Sequence, residues 1–153
     1  MRPVLPPVAG AIVPPVAAKA QQFTRAKKTA TLVMMFKETL RGVVDGTQGG
    51  LAGLLMDFEG IPLESYAKDG AFDIEAVGAE ASVILKSIQR ATEMLDAGEP
   101  REVAFQSDKM ATLIRVINAE YFVAVTLSPD ANFGKARFLL RVAAPKIRAE
   151  LEN

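Results

Sequence analysis

Three strand-like runs in the second half of the chain are joined by links too short to let it run parallel to itself. "REVAFQS" alternates Val103 and Phe105 against Glu102, Ala104 and Gln106, while "ATLIRVIN" and "YFVAVTLS" are dense in β-branched and aliphatic residues. Ser107-Asp108-Lys109 and Asn118-Ala119-Glu120 are all that separates them. A parallel crossover needs about a dozen residues, so the three runs form an antiparallel meander, with "YFVAVTLS" toward mid-sheet. An earlier pair behaves alike. The apolar run over residues 51–58 reads as a central strand, Glu59-Gly60 supplies a tight turn, and a return strand follows over 62–68.

Between and around these runs the apolar period is helical. Phe23, Ala26, Ala30, Val33, Phe36, Leu40 and Val44 recur at steps of three and four, with Gly46 as a stop. From Asp73 a second stripe follows: Ile74, Val77, Ala81, Ile84 with Leu85, Ile88, Ala91 and Leu95, stopped by Gly98. Gly78, Ala79 and Ser82 beside it permit close approach, by the sheet or by another helix. Phe133, Ala136, Leu140, Ala143, Ile147 and Leu151 line a last helix, capped by Asn132 or Asp130, in which Pro145 predicts a kink or a restart. The order helix, two strands, helix, three strands, helix predicts an α+β fold: an antiparallel sheet of five strands with helices on its faces.

Little catalytic chemistry is available. There is no cysteine for a disulfide or thiolate, and no histidine, the commonest general base and metal ligand. No serine sits in a G-x-S-x-G elbow. Asp57 and Glu59 read as solvated turn carboxylates. "DGTQGG" at residues 45–50 lacks the GK[ST] of a phosphate loop and reads as a flexible link. No calcium loop is present. Hence no catalytic, cofactor-binding or metal-binding residue is expected, and no cofactor. No apolar run reaches the ~18 residues of a membrane span, and a cytoplasmic protein is expected.

Net charge is zero but segregated: +6 over residues 1–41, −9 over 42–130 and +3 over 131–153. That describes either ordinary solvated faces or a molecule with a basic and an acidic side. Arg25, Lys27 and Lys28, with Lys135, Arg137, Arg141, Lys146 and Arg148, offer an alternative function as a basic surface for nucleic acid or anionic membranes. No aromatic ladder interleaves them, and nucleic acid is not expected as a partner. At the N-terminus Val4–Ala9 and Ile12–Ala17 nearly repeat around two proline pairs. Proline fixes φ and restrains its predecessor, so residues 1–22 are expected as an extended arm ahead of a domain over 23–153. Its docking candidates are Pro6, Pro7, Pro14 and Pro15; a passive semi-rigid arm and a signal peptide are the alternatives.

Two stretches carry a family resemblance: "GGLAGLLMDFEGIPLESYA" and "YFVAVTLSPDANFGKARFLLRVAAPKIRAEL". In that order, around one long helix, they resemble the Roadblock / dynein light-chain family over about residues 30–152. The nearer likeness is to its bacterial branch, which holds the MglB-type regulators of Ras-like polarity GTPases. The resemblance implies the first and last helices on one sheet face and the long middle helix on the other. It also implies a homodimer joined through the third strand, "EVAFQS", with Gly78, Ser82, Val103 and Phe105 at the interface. The middle helix would gather Asp73, Glu75, Glu80 and Glu93 on an acidic face. Glu75, Glu80, Arg137 and Arg141 are then candidates for contacting the partner, and Arg115 or Arg137 for an arginine finger, unless both are simply solvated. The implied function is a non-catalytic regulator or scaffold of a small Ras-like GTPase, with or without stimulated hydrolysis. A dimeric adaptor with a docking arm is the alternative.

Overall fold

The computed structural model describes residues 3–4, 16–70 and 72–153; Pro6, Pro7, Pro14, Pro15 and the rest of the arm lie outside the described residues. Two units are distinguished, residues 1–32 and 33–153. Helix α1 spans Val16–Asp45, so it starts ahead of the expected Phe23; the first unit contributes its opening turns. The second unit holds strand β1 (Gly50–Asp57), β2 (Pro62–Ala67), a 3-10 turn (Lys68–Gly70), α2 (Ile74–Met94), β3 (Glu102–Gln106), β4 (Ala111–Val116), β5 (Tyr121–Leu127) and α3 (Phe133–Leu151).

The strands form one antiparallel sheet in the order β2-β1-β5-β4-β3, as the short links require. Asp57 makes the first hairpin. Its carboxylate accepts from the N–H groups of Glu59 and Ile61 at 2.9 and 2.8 Å, and Gly60 supplies the positive φ of +89°. Alternate residues of the central strands face opposite layers. Leu54, Met56, Ile114, Phe122 and Ala124 form one core with Ile74, Ala81 and Leu85 of α2. On the other face Leu55, Leu113, Val123, Val125 and Leu127 are wholly buried, as are Leu40 and Val44 of α1, and Leu140 and Ile147 of α3 nearly so. Full burial of each such side chain contributes roughly 1.5–3 kcal/mol.

Small residues set how closely the helices sit. At Gly78 an added Cβ would lie 2.1 Å from Leu54 Cδ2, so α2 is seated on β1 through a missing side chain. Ser82 is buried on the same side and donates to the Ala79 carbonyl at 2.7 Å. The "DGTQGG" link is a packed corner and not a flexible one. Thr47 donates to the Val43 carbonyl at 2.8 Å, and a Cβ at Gly50 would stand 2.2 Å from the Val44 carbonyl oxygen.

Three helix expectations are corrected. Helix α2 ends at Met94, not at Gly98, because Asp96 already takes a left-handed φ of +52°. Ala91 and Leu95, expected in the stripe, are exposed, since the sheet has ended beneath them. Pro145 does not restart α3, which is continuous through it. Pro145 lies on the exposed side, where water can satisfy the carbonyl four residues earlier. Asn132 is the cap, its side chain accepting from Lys135 N–H at 3.0 Å.

Outside the cores, Tyr66 of β2 donates its hydroxyl to Asp45 at the end of α1, 2.8 and 3.1 Å from the two carboxylate oxygens. That bond holds the proton and raises the Tyr66 pKa, with burial and the Asp45 charge adding to it. The link is therefore present below ~pH 10 and lost as pH rises through the raised value. Ultraviolet titration, with two tyrosines and no tryptophan to resolve, should show one tyrosine ionising late. Asp45→Asn should bring it down; an unmoved curve would refute the link. A second prediction separates two glycines. Gly50→Ala should lower the urea midpoint, corresponding to about 2 kcal/mol or more, because backbone must move. Gly42→Ala, whose Cβ meets nothing within 4 Å, should raise the midpoint, corresponding to about 0.5–1 kcal/mol of added stability.

Candidate functional site

The sheet has two borders, and they differ in chemistry. On β2 the border carries Pro62, lies beside a register shift between Leu55 and Met56 of β1, and is followed by Lys68. Proline, irregular pairing and lysine are the means by which edge strands avoid further pairing. On β3 the border is Glu102-Val103-Ala104-Phe105-Gln106, free of proline and lysine and, among the described residues, paired with β4 alone. It is an open ladder.

The two faces of β3 are covered differently. On the α2 side, Val103 and Phe105 are only partly buried, packed against the core beside the equally half-covered Val77 and Val116. Helix α2 lies over β1, β2 and β5, so the apolar skin near β3 and β4 is left incompletely roofed. On the other side Glu102 reaches two guanidiniums. It takes a hydrogen bond from Arg137 Nε of α3, and Arg115 Nη1 of β4 lies 3.6 Å from its second oxygen. The cross-strand pairing of Glu102 with Arg115 dictates the second contact. These side chains are 23–42% exposed, so the cluster ties α3 to the sheet border at a half-wet site.

The expected site residues fall into distinct places. Val103 and Phe105 meet at the open border. Gly78 and Ser82 do not join them on an outer surface; they face the chain's own sheet, because β1 occupies the space their missing bulk leaves. Glu75 and Glu80 are exposed on α2, near Asp73, whose carboxylate caps that helix by accepting from Ala76 N–H at 3.1 Å. Arg141 is exposed, while Arg137 and Arg115 are engaged by Glu102. Asp57 is a turn former and Glu59 lies 3.6 Å from Lys86. Glu102 was missed in the sequence, although hairpin register about Ser107–Lys109 sets it opposite the lone arginine of the next strand. Among the described residues no group of three or more acidic residues could hold a metal ion, and no helix is long and apolar enough to cross a membrane.

No protein-family model and no curated protein matches the chain. Among solved structures, MglC from Myxococcus xanthus is 38% identical, over 75% of this chain and 98% of MglC, with a TM-score of 0.56. A Roadblock/LC7 domain from Streptomyces avermitilis is 16% identical over 76% of this chain and 98% of its own, with a TM-score of 0.70. A structure of MglB with a tetrameric arrangement is 17% identical over 79% and 90%, with a TM-score of 0.72. The last two share the fold; MglC shares sequence along nearly its whole length. This chain, a five-stranded sheet between one helix and two, therefore belongs to the Roadblock/LC7 family, alongside MglC and MglB.

Proposed function

We propose that the chain acts as a homodimer joined through β3, and that the dimer binds a small Ras-like GTPase as a non-catalytic regulator or scaffold. The carrying observation is the contrast between the sheet's borders: β2 is protected against pairing and β3 is not. Pairing β3 with its copy about a two-fold axis would extend the sheet to twice its width. It would also cover Val103 and Phe105 and place the two α2 helices on the same side of one continuous sheet. A tetrameric arrangement of MglB supports self-association as a habit of this fold.

The GTPase reading rests on the likeness to MglB-type regulators. The α2 face supports it with exposed Glu75 and Glu80 around Ala79 and Val83, the last 61% exposed. Two copies side by side would make an acidic platform with an apolar centre, suited to a partner with a basic rim. Arg115 and Arg137 are both held in place by the Glu102 carboxylate, which argues against either acting as an inserted finger. Any effect on hydrolysis would then come from positioning the GTPase's own residues. The proline-rich segment 1–22 is proposed as an arm outside the domain, and Arg141 as an accessory contact.

Sedimentation of the purified chain at micromolar concentration should give twice the monomer mass. Phe105→Asp and the gentler Ala104→Lys, which places like charges on both borders, should give monomers with unchanged circular dichroism. A monomeric wild-type chain would refute the junction. Mixing the dimer with a Ras-like GTPase loaded with GDP or a non-hydrolysable GTP analogue should yield a complex in one state. Glu75→Lys with Glu80→Lys should weaken that complex about tenfold, ~1.4 kcal/mol. Absence of binding in both states ends the GTPase reading and leaves the dimer standing.

A further inference from the structure

Helix α3 carries two apolar stripes where packing on a sheet needs one. Ala136, Leu140, Ala143 and Ile147 are buried. The other stripe, Phe138, Val142 and Pro145, faces solvent, with Phe138 56% and Val142 46% exposed. Helical spacing puts Lys135 and Lys146 on its α1 side and Arg141 on its far side. Lys135 Nζ stands 5.8 Å from the Phe138 ring centroid. Among the described residues none of these three cations has a carboxylate within 4.0 Å.

Val142 also borders a groove of about 250 Å³ between α3 and the C-terminal half of α1. Its floor is Gly42, Val43, Leu139 and Ala143, and Glu38 and Lys146 stand at its walls. Gly42 leaves open space: a Cβ there would meet nothing within 4 Å. Glu38 lies 3.7 Å from Arg41, so the acid of the wall already has a partner.

We propose that this seam between α1 and α3 is a docking site for an amphipathic helix of a protein partner, apolar on one face and acidic on its flanks. The groove is smaller than the ~300–1,000 Å³ of small-molecule sites, but it is an open trough between two helices. A third helix fills such a trough with side chains at i, i+3, i+4 and i+7. Gly42 and Ala143 keep the floor low enough for close approach. Uncompensated cations on both sides of the apolar stripe select acidic flanks and repel a basic helix. A bilayer or nucleic-acid duplex would use the same cations but not the hollow at Gly42. The seam lies on the sheet face opposite α2, so it does not depend on the GTPase reading.

The test is selection of displayed helical peptides with randomised surfaces on the full-length chain, counter-selected on Gly42→Phe. That variant plugs the trough at an exposed position and keeps the fold, as circular dichroism should confirm. Enriched peptides should repeat Leu, Phe or Met at three- and four-residue spacing between Asp and Glu, and shift amide resonances of Gly42, Val43, Leu139 and Val142. Gly42→Phe, and separately Lys135→Glu with Lys146→Glu, should weaken them at least about tenfold. The Ala104→Lys monomer should bind them as the dimer does, which separates this site from the GTPase platform. No enrichment, or peptides that bind Gly42→Phe equally well, overturns the proposal. So does retention of phosphatidylserine vesicles or duplex DNA undiminished by the plug, which would assign the cations to a flat anionic surface.

Discussion

The molecule depends on the pairing of β1 with β5. Each half of the second unit is made of sequence neighbours: a hairpin of β1 and β2, and a meander of β3, β4 and β5. Only the β1–β5 ladder, running from Gly50 opposite Leu127 to Asp57 opposite Tyr121, joins the halves into one sheet. Both strands are buried on both faces, so the ladder runs through the centre of the two cores and fixes where each helix rests. It also decides which strands become borders. With β1 and β5 in the middle, β2 and β3 are left outermost, and their different chemistry acquires meaning.

Much of this was legible because the signals were local. Two three-residue links forced antiparallel neighbours, Glu59-Gly60 marked the first turn, and Asn132 or Asp130 marked the start of α3, the structure choosing Asn132. What escaped was decided by contacts across the fold. Ala91 and Leu95 continue the apolar period of α2 but outrun the sheet, a matter of relative length that periodicity does not contain. Gly78 and Ser82 allowed close approach from either side, and only the position of Leu54 shows that the chain's own sheet took the space. Pro145 sits on the exposed side of α3, where the helix carries on past it without a restart. For the site the same division holds. Val103 and Phe105 were visible from alternation, whereas the grip of Glu102 on Arg137 joins β3 to a helix more than thirty residues away.

The opposed charge of the chain's segments finds a physical arrangement in these layers. The acidic middle of the sequence supplies α2, where exposed Glu75, Glu80 and Glu93 outnumber Lys86 and Arg90, and the basic final segment supplies α3. A sheet two cores thick keeps the two fields apart, so neither neutralises the other at short range. Neutral overall composition thus conceals a polar body, and net charge alone says little about its surfaces.

The central ladder also has a consequence for how the chain is made. Synthesis delivers β1, apolar on both sides, well before β5, its inner neighbour; α2 and two further strands must emerge first. At ~5–20 residues per second that delay is several seconds, during which β1 has only β2 and the adjoining helices for shelter. A nascent polypeptide of this design therefore exposes one apolar edge of β1 to non-native pairing until β5 emerges to cover it.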